Sequence, residues 1–241
     1  MGVLDELVEI PRKTMLLFFL VDTSASMAGD KIASLNEGIR DVLPDLRDIS
    51  NDNADAQIKI AVLDFSSGTE WITDSPQPLD GFEWRNLRAD GVTDLGEAFT
   101  ELNEKLSETA FLQDAAGCYA PVIILISDGA PTDNYRKGLD ALQANRWFQA
   151  AIRIALAVDG ADEHVLAEFT GSTDMVIPIS NKAMMNRMIR FVSVTSSRIG
   201  SRLGSDATRQ REVEKAVRSE LNELTAMTEL DAEASFDDSW Q

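Results

Sequence analysis

The sequence predicts an α/β protein: a doubly wound, mostly parallel sheet with helices on both faces and one antiparallel edge strand. Three observations lead there. Short apolar runs recur along the chain, "MLLFFLV", "IKIAVLDF", "VIILIS", "IRIALAV" and "MVIPI". The first and third are apolar at successive positions, as strands covered on both faces must be. Between the runs, apolar residues fall at helical spacing, and strands alternating with helices indicate parallel crossover units.

Taken in order, the first strand ends at Asp22, and a helix follows Asp30 with Ile32, Leu35, Ile39, Val42 or Leu43, and Leu46 along one face. Pro44 is expected to kink or end that helix, because it lacks a donor and clashes one turn back. After the second strand, "TEWIT" lies between turn residues and suits an antiparallel edge strand joined by a hairpin. Leu95, Phe99, Leu102 and Leu106 mark the next helix, and Asp94 with Glu97 has capping-box spacing. A third helix is expected through Leu139, Leu142 and Trp147, and a fourth from Ala183 to Val194.

The composition shifts near residue 200. Residues 201–241 carry five Lys or Arg against ten Asp or Glu, and Val213, Val217, Leu221, Leu224 and Met227 form one stripe of an amphipathic helix. This tail is expected to fold back on the domain with a frayed acidic end. The alternative is docking in trans, with Phe236 and Trp240 as anchors.

The net charge of −19 argues against nucleic acid and anionic membrane surfaces as partners, since both carry the same sign. One cysteine, Cys118, cannot form an internal disulfide, and it reads as partly buried packing. The start of the chain lacks a signal-peptide apolar core, and Glu6 stands where myristoylation needs Ser or Thr. No apolar run is long enough to span a bilayer. A cytoplasmic protein is expected.

The candidate site is built from strand ends. In doubly wound sheets, ligands bind at the carboxyl ends of the strands, where strand order reverses. "FFLVDTSASM" places Asp22, Ser24 and Ser26 just past the first strand, and "ILISDG" places Asp128 past another. Thr93 lies between them, ahead of a helix. Any one of these could simply cap a helix. Helix capping does not require both serines, nor an aspartate ending two separate strands. A hard cation accounts for all five. Magnesium takes six oxygens and dehydrates reluctantly, so it accepts hydroxyls, waters and few carboxylates. Alternate residues of an extended loop point one way, so Asp22, Ser24 and Ser26 can converge.

D-x-S-x-S, the threonine of "GVTDLGEA" and the aspartate of "SDG" together resemble the metal-ion-dependent adhesion site of von Willebrand factor A domains. The resemblance spans residues 12–200, leaving 201–241 as a C-terminal helix and acidic tail. It implies a Rossmann-like fold and a bound Mg²⁺ or Mn²⁺. Ser24, Ser26 and Thr93 would contact the ion, while Asp22 and Asp128 help hold it, often through water. A protein partner presenting an Asp or Glu would complete the coordination. Ala25 stands where the family often has glycine between the serines. "FFLVDTSASMAGDKIASLNEGI", "SDGAPTDNYRKGLDAL", "RIALAVDGADEHVLAEFT" and "FVSVTSSRIG" are similar to the TerY-type subfamily of bacterial tellurite-resistance and stress gene clusters. That similarity implies an intracellular interaction module, with a kinase or phosphatase of the same cluster as candidate partner.

The rival reading is an enzyme. A strand ending "LVDTS" also resembles haloacid-dehalogenase phosphatases, with Asp22 as nucleophile. Those enzymes want an acid two residues later, where Ser24 stands, and a late lysine with an acidic pair, for which only Asp128 and Asp133 are available. The lone histidine, His164, reads as the surface start of a short helix. There is no phosphate-binding G-x-x-x-x-G-K-[ST] loop and no nucleophile elbow. No catalytic activity is expected.

Overall fold

The computed structural model describes residues 12–114, 117–202 and 205–237, the stretch 224–237 by backbone alone. The first apolar run becomes β1 (Lys13–Asp22), and every side chain from Thr14 to Asp22 is buried. On one side β1 pairs in parallel with β2 (Ala56–Ser66), and on the other with β5 (Val122–Ser127). Beyond β5 lie β6 (Ile152–Val158) and β7 (Val176–Ile179), both parallel. The far edge carries β3 (Gly68–Trp71), which returns antiparallel on β2 through a hairpin. A two-residue strand, β4 (Gln77–Pro78), also pairs antiparallel with β2. The order is β3-β2-β1-β5-β6-β7, so the direction of winding reverses between β1 and β5.

Alternation along β1 divides the core. Met15, Leu17, Phe19 and Val21 pack on one face with α1 (Asp30–Asp52) and α6 (Lys182–Gly200). Leu16, Phe18 and Leu20 face α2 (Leu95–Lys105), α3 (Tyr135–Gln143), α4 (Arg146–Ala150) and α5 (Glu163–Thr170). Each such side chain fully buried contributes roughly 1.5–3 kcal/mol relative to exposure. The two faces together explain why this strand reads as unbroken apolar sequence. Gly138 carries its own packing constraint. A Cβ there would lie 2.4 Å from the Gly96 carbonyl oxygen, so the absence of a side chain lets α3 approach α2 closely.

Two local expectations are corrected, and one is narrowed. The first helix does not end at Pro44 but runs through it to Asp52. Its second half is held by buried Leu46, by Ser50, whose Oγ accepts from Ile58 N at 2.9 Å, and by Arg47, which donates to the carbonyls of Leu79 and Phe82. These contacts outweigh the one backbone bond that proline removes. The helix expected through Leu139, Leu142 and Trp147 is two helices. Asn145 interrupts it, caps α4 by accepting from Trp147 N, and donates to Asn103 Oδ1 and the Leu106 carbonyl. The Asp94–Glu97 capping box does not form, for reasons that belong to the site.

The tail forms α7 (Asp206–Asp237). Val213 and Val217 are buried in the α1–α6 face of the core, and Leu221 packs against it half-buried. Ion pairs from Arg187 to Glu220 and from Arg218 to Asp174 flank the contact. The side chains of Leu224, Met227 and Phe236, and Trp240 altogether, lie outside the described residues. No described helix is long and apolar enough to cross a membrane.

Candidate metal centre

The reversal of strand order opens a crevice at the carboxyl ends of β1 and β5, where doubly wound sheets bind ligands. The structure brings all five expected residues to it. Asp22 ends β1, fully buried, and accepts from Ser24 N at 2.8 Å through Oδ1 and from Ser127 Oγ at 2.6 Å through Oδ2. Ser24 Oγ and Ser26 Oγ are 2.9 Å apart, and Ser26 Oγ donates to Asp128 Oδ1 at 2.6 Å. The loop after β1 is itself tied down. Ala25 N donates to the Gly91 carbonyl, Asp90 N to the Thr23 carbonyl, and the Thr23 hydroxyl to Asp64.

Thr93 is supplied by the loop before α2. Its backbone exchanges hydrogen bonds with Thr132, from Thr93 N to Thr132 Oγ1 at 3.1 Å and from Thr132 N to the Thr93 carbonyl at 2.9 Å. Thr93 is 4 % exposed, and its hydrogen bonds to described residues run through its backbone. What it faces is Gly129. A Cβ at Gly129 would lie 3.1 Å from Thr93 Oγ1, 3.7 Å from Ser26 Oγ and 3.9 Å from Asp22 Oδ2. Oxygens from the end of β1 and its following loop, and from the loop before α2, therefore surround one small space, kept open because Gly129 has no side chain.

The electrostatics fit a cation. Burial pushes the Asp22 carboxyl above the ordinary carboxylate range and nearby Asp128 adds to the rise, while hydrogen bonds from Ser127 and Ser24 oppose it. Burial raises Asp64 as well, against the hydrogen bond from Thr23. Ionised Asp22 is thus held at a cost that a nearby positive charge would relieve. The donor set is oxygen only, two carboxylates and three hydroxyls, which suits a hard ion and not a soft one. Among the described residues, no three His, Cys, Asp or Glu side chains are grouped to hold a metal, so any ion here depends on the hydroxyls.

Several residues at the site gave no signal of their role in the sequence. Ser127 orients Asp22 from the neighbouring strand. Asp133 caps α2 in place of Asp94, accepting from Gly96 N and Glu97 N at 3.0 Å each. Asp94, freed from capping, accepts instead from Gly68 N at 2.9 Å and Thr132 Oγ1 at 3.3 Å. Lys31, from the first turn of α1, reaches Asp128 Oδ2 at 2.5 Å and the Asp159 carbonyl at 2.9 Å. Spacing could flag the serines because they are two residues apart; these partners lie 26 to 128 residues away in sequence.

The phosphatase reading finds no support. Asp22 is fully buried, Ser24 holds the position of the required second acid, and Asp133 is occupied as a helix cap. His164 is exposed near the start of α5 and lies 3.3 Å from Glu168. Cys118 is half-buried, with burial pushing its thiol up to about 11.

A mostly parallel sheet with an oxygen-lined crevice at its switch point defines a class of ligand-binding α/β domain. The chain belongs to the von Willebrand factor type A domain family, whose model matches residues 17–189. Solved structures agree on the fold. A von Willebrand factor type A protein from Catenulispora acidiphila is 14 % identical, with a TM-score of 0.56 over 77 % of this chain and 43 % of that one. The pilus adhesin SpaC of Lactobacillus rhamnosus GG, in its open conformation, is 13 % identical, with a TM-score of 0.60 over 78 % and 30 %. The ArnB paralog VWA2 of Sulfolobus acidocaldarius is 18 % identical, with a TM-score of 0.54 over 74 % and 44 %. The chain thus spans less than half the length of these three proteins. No curated protein matches it. Domains of this family commonly mediate protein–protein interaction.

Proposed function

We propose that this chain is a non-catalytic, metal-dependent protein-interaction module. Mg²⁺ or Mn²⁺ would be held by the Ser24, Ser26 and Thr93 hydroxyls, with Asp22 and Asp128 behind them acting largely through water. When bound, the ion supplies a Lewis-acidic centre for a carboxylate from a partner's Asp or Glu. The chain's own residues hold this arrangement: Ser127 and Ser24 N aim Asp22, Ser26 donates to Asp128, and Thr132 positions Thr93.

The observation that carries this reading is the convergence of Thr93 Oγ1, Ser26 Oγ and Asp22 Oδ2 on the space beside Gly129. Val92 supports it from the rim. It is the one large apolar side chain exposed among the described residues, at 46 %, and it adjoins Thr93. An apolar contact beside a cation is what a partner surface can use.

An adaptor role inside a bacterial cell, in a tellurite-resistance or stress system, is supported by the resemblance to TerY-type sequences. A kinase or phosphatase of the same gene cluster is the proposed partner. The test is calorimetric titration of Mg²⁺ into the protein and its Asp22→Ala variant, followed by co-purification with and without chelator. Metal affinity should fall sharply in the variant while the fold persists, and the partner should elute in EDTA. Unchanged affinity in Asp22→Ala refutes the site, and full-strength partner binding in EDTA refutes the metal dependence.

A further inference from the structure

Lys31 is absent from the ligand set, yet it makes the shortest polar contact to it. Its ammonium lies 2.5 Å from Asp128 Oδ2 and donates to the Asp159 carbonyl at 2.9 Å. The Asp128 side chain is fully buried, and its other oxygen accepts from Ser26 at 2.6 Å. Both carboxylate oxygens are therefore engaged before any ion arrives. The lysine is pinned across two strand ends, while its side chain stays 31 % exposed and borders a cavity of about 310 Å³ floored by Val158, Ile179 and Met185.

We infer that Lys31 is a built-in counter-charge that weakens metal affinity at this site and strengthens its demand for an outside carboxylate. The inference rests on the metal-dependent reading above. With Asp22 and Asp128 ionised, Lys31 leaves the cluster one net negative charge, and a divalent ion would turn that to one net positive charge. Without the lysine the loaded cluster would be neutral. A net positive centre draws an acidic side chain more strongly, because charge interactions at a partly buried site are little screened. The same ammonium repels the incoming ion and withholds an oxygen of Asp128 from it. Lys31 thus trades ion affinity for partner affinity. It also favours Mg²⁺ over Ca²⁺, since calcium wants more carboxylate oxygens than the site then offers.

The test compares wild type with Lys31→Gln, which keeps a donor in place without the charge, and with Lys31→Met. Mg²⁺ and Ca²⁺ affinities are read by calorimetry, and acetate serves as carboxylate probe, followed by NMR shifts of the Mg²⁺-loaded protein. Lys31→Gln should bind Mg²⁺ more tightly, by on the order of tenfold. Its Ca²⁺ affinity should gain more than that, and its response to acetate should weaken. Lys31→Met should follow the same directions, and thermal melts show whether each variant is folded. Equal or weaker Mg²⁺ binding by folded Lys31→Gln overturns the inference and leaves the metal site standing. A wild-type protein that binds no Mg²⁺ overturns both.

Discussion

Asp133→Ala tests how the threonine loop of the site is built. Two backbone N–H groups at the start of α2, Gly96 and Glu97, donate to the two oxygens of Asp133 at 3.0 Å each. Losing an N-terminal cap costs about 1 kcal/mol, within a range of roughly 0.5–2. Removing a negative charge from a helix N-terminus adds about 0.3–1 kcal/mol. Because both oxygens are used here, a loss of about 2 kcal/mol is expected. At about 2–4 °C per kcal/mol for a chain of this size, Tm should fall by roughly 4–8 °C. Asp133→Asn keeps one acceptor and should fall between. Amide hydrogen exchange should quicken at Gly96 and Glu97 while the β1 amides stay protected. Mg²⁺ affinity should drop only modestly, since Thr132 still holds the Thr93 backbone. A Tm change under about 1 °C with unchanged exchange would mean that Asp94 takes over the cap, and the reasoning would fail.

Two further perturbations follow. Gly129 lies outside the left-handed region, so Gly129→Ala is tolerated by the backbone, but its methyl would sit 3.1 Å from Thr93 Oγ1 in the space the site oxygens share. Thermal stability should change by less than about 1 kcal/mol, and Mg²⁺ affinity measured by calorimetry should drop by at least about tenfold; equal affinity would contradict the assignment. Burial that pushes the Cys118 thiol up to about 11 keeps it protonated at neutral pH. Alkylation by iodoacetamide, followed by mass spectrometry, should therefore be slow in the native protein at pH 7 and quicken with rising pH. The sign of the linkage is that of a raised acid. The stability gained by keeping the thiol neutral is present below pH 9 and is lost as pH rises toward 11. Fast labelling of folded protein at pH 7 would contradict the burial.

Much of the frame was legible in the sequence. The five apolar runs all become sheet strands, and β1 and β5 in particular read as unbroken because a strand buried on both faces has to be apolar at consecutive positions. The hairpin at "TEWIT" is there as β3, set by the turn residues before it, though pairing stops at Trp71. Asp22 and Asp128 are legible because each directly follows an apolar run, and the D-x-S-x-S spacing with the resemblance it carries singles out Ser24, Ser26 and Thr93; the fold brings the five to one crevice.

The rest was decided in three dimensions. Pro44 stays inside α1 and Asn145 divides a helix because side chains and carbonyls far along the chain reward those conformations more than local propensity opposes them. Asp94 had a capping box available locally and surrendered the helix to Asp133, which the β5–α3 connection delivers to both N–H groups at once. Lys31 reads as an ordinary first-turn lysine until the parallel pairing of β1 with β5 sets Asp128 beside it, 97 residues away. Hydrophobic periodicity is a local property and survives in one dimension. The choice of polar partner is a matter of distance in the folded chain, and a sequence alone carries no distances.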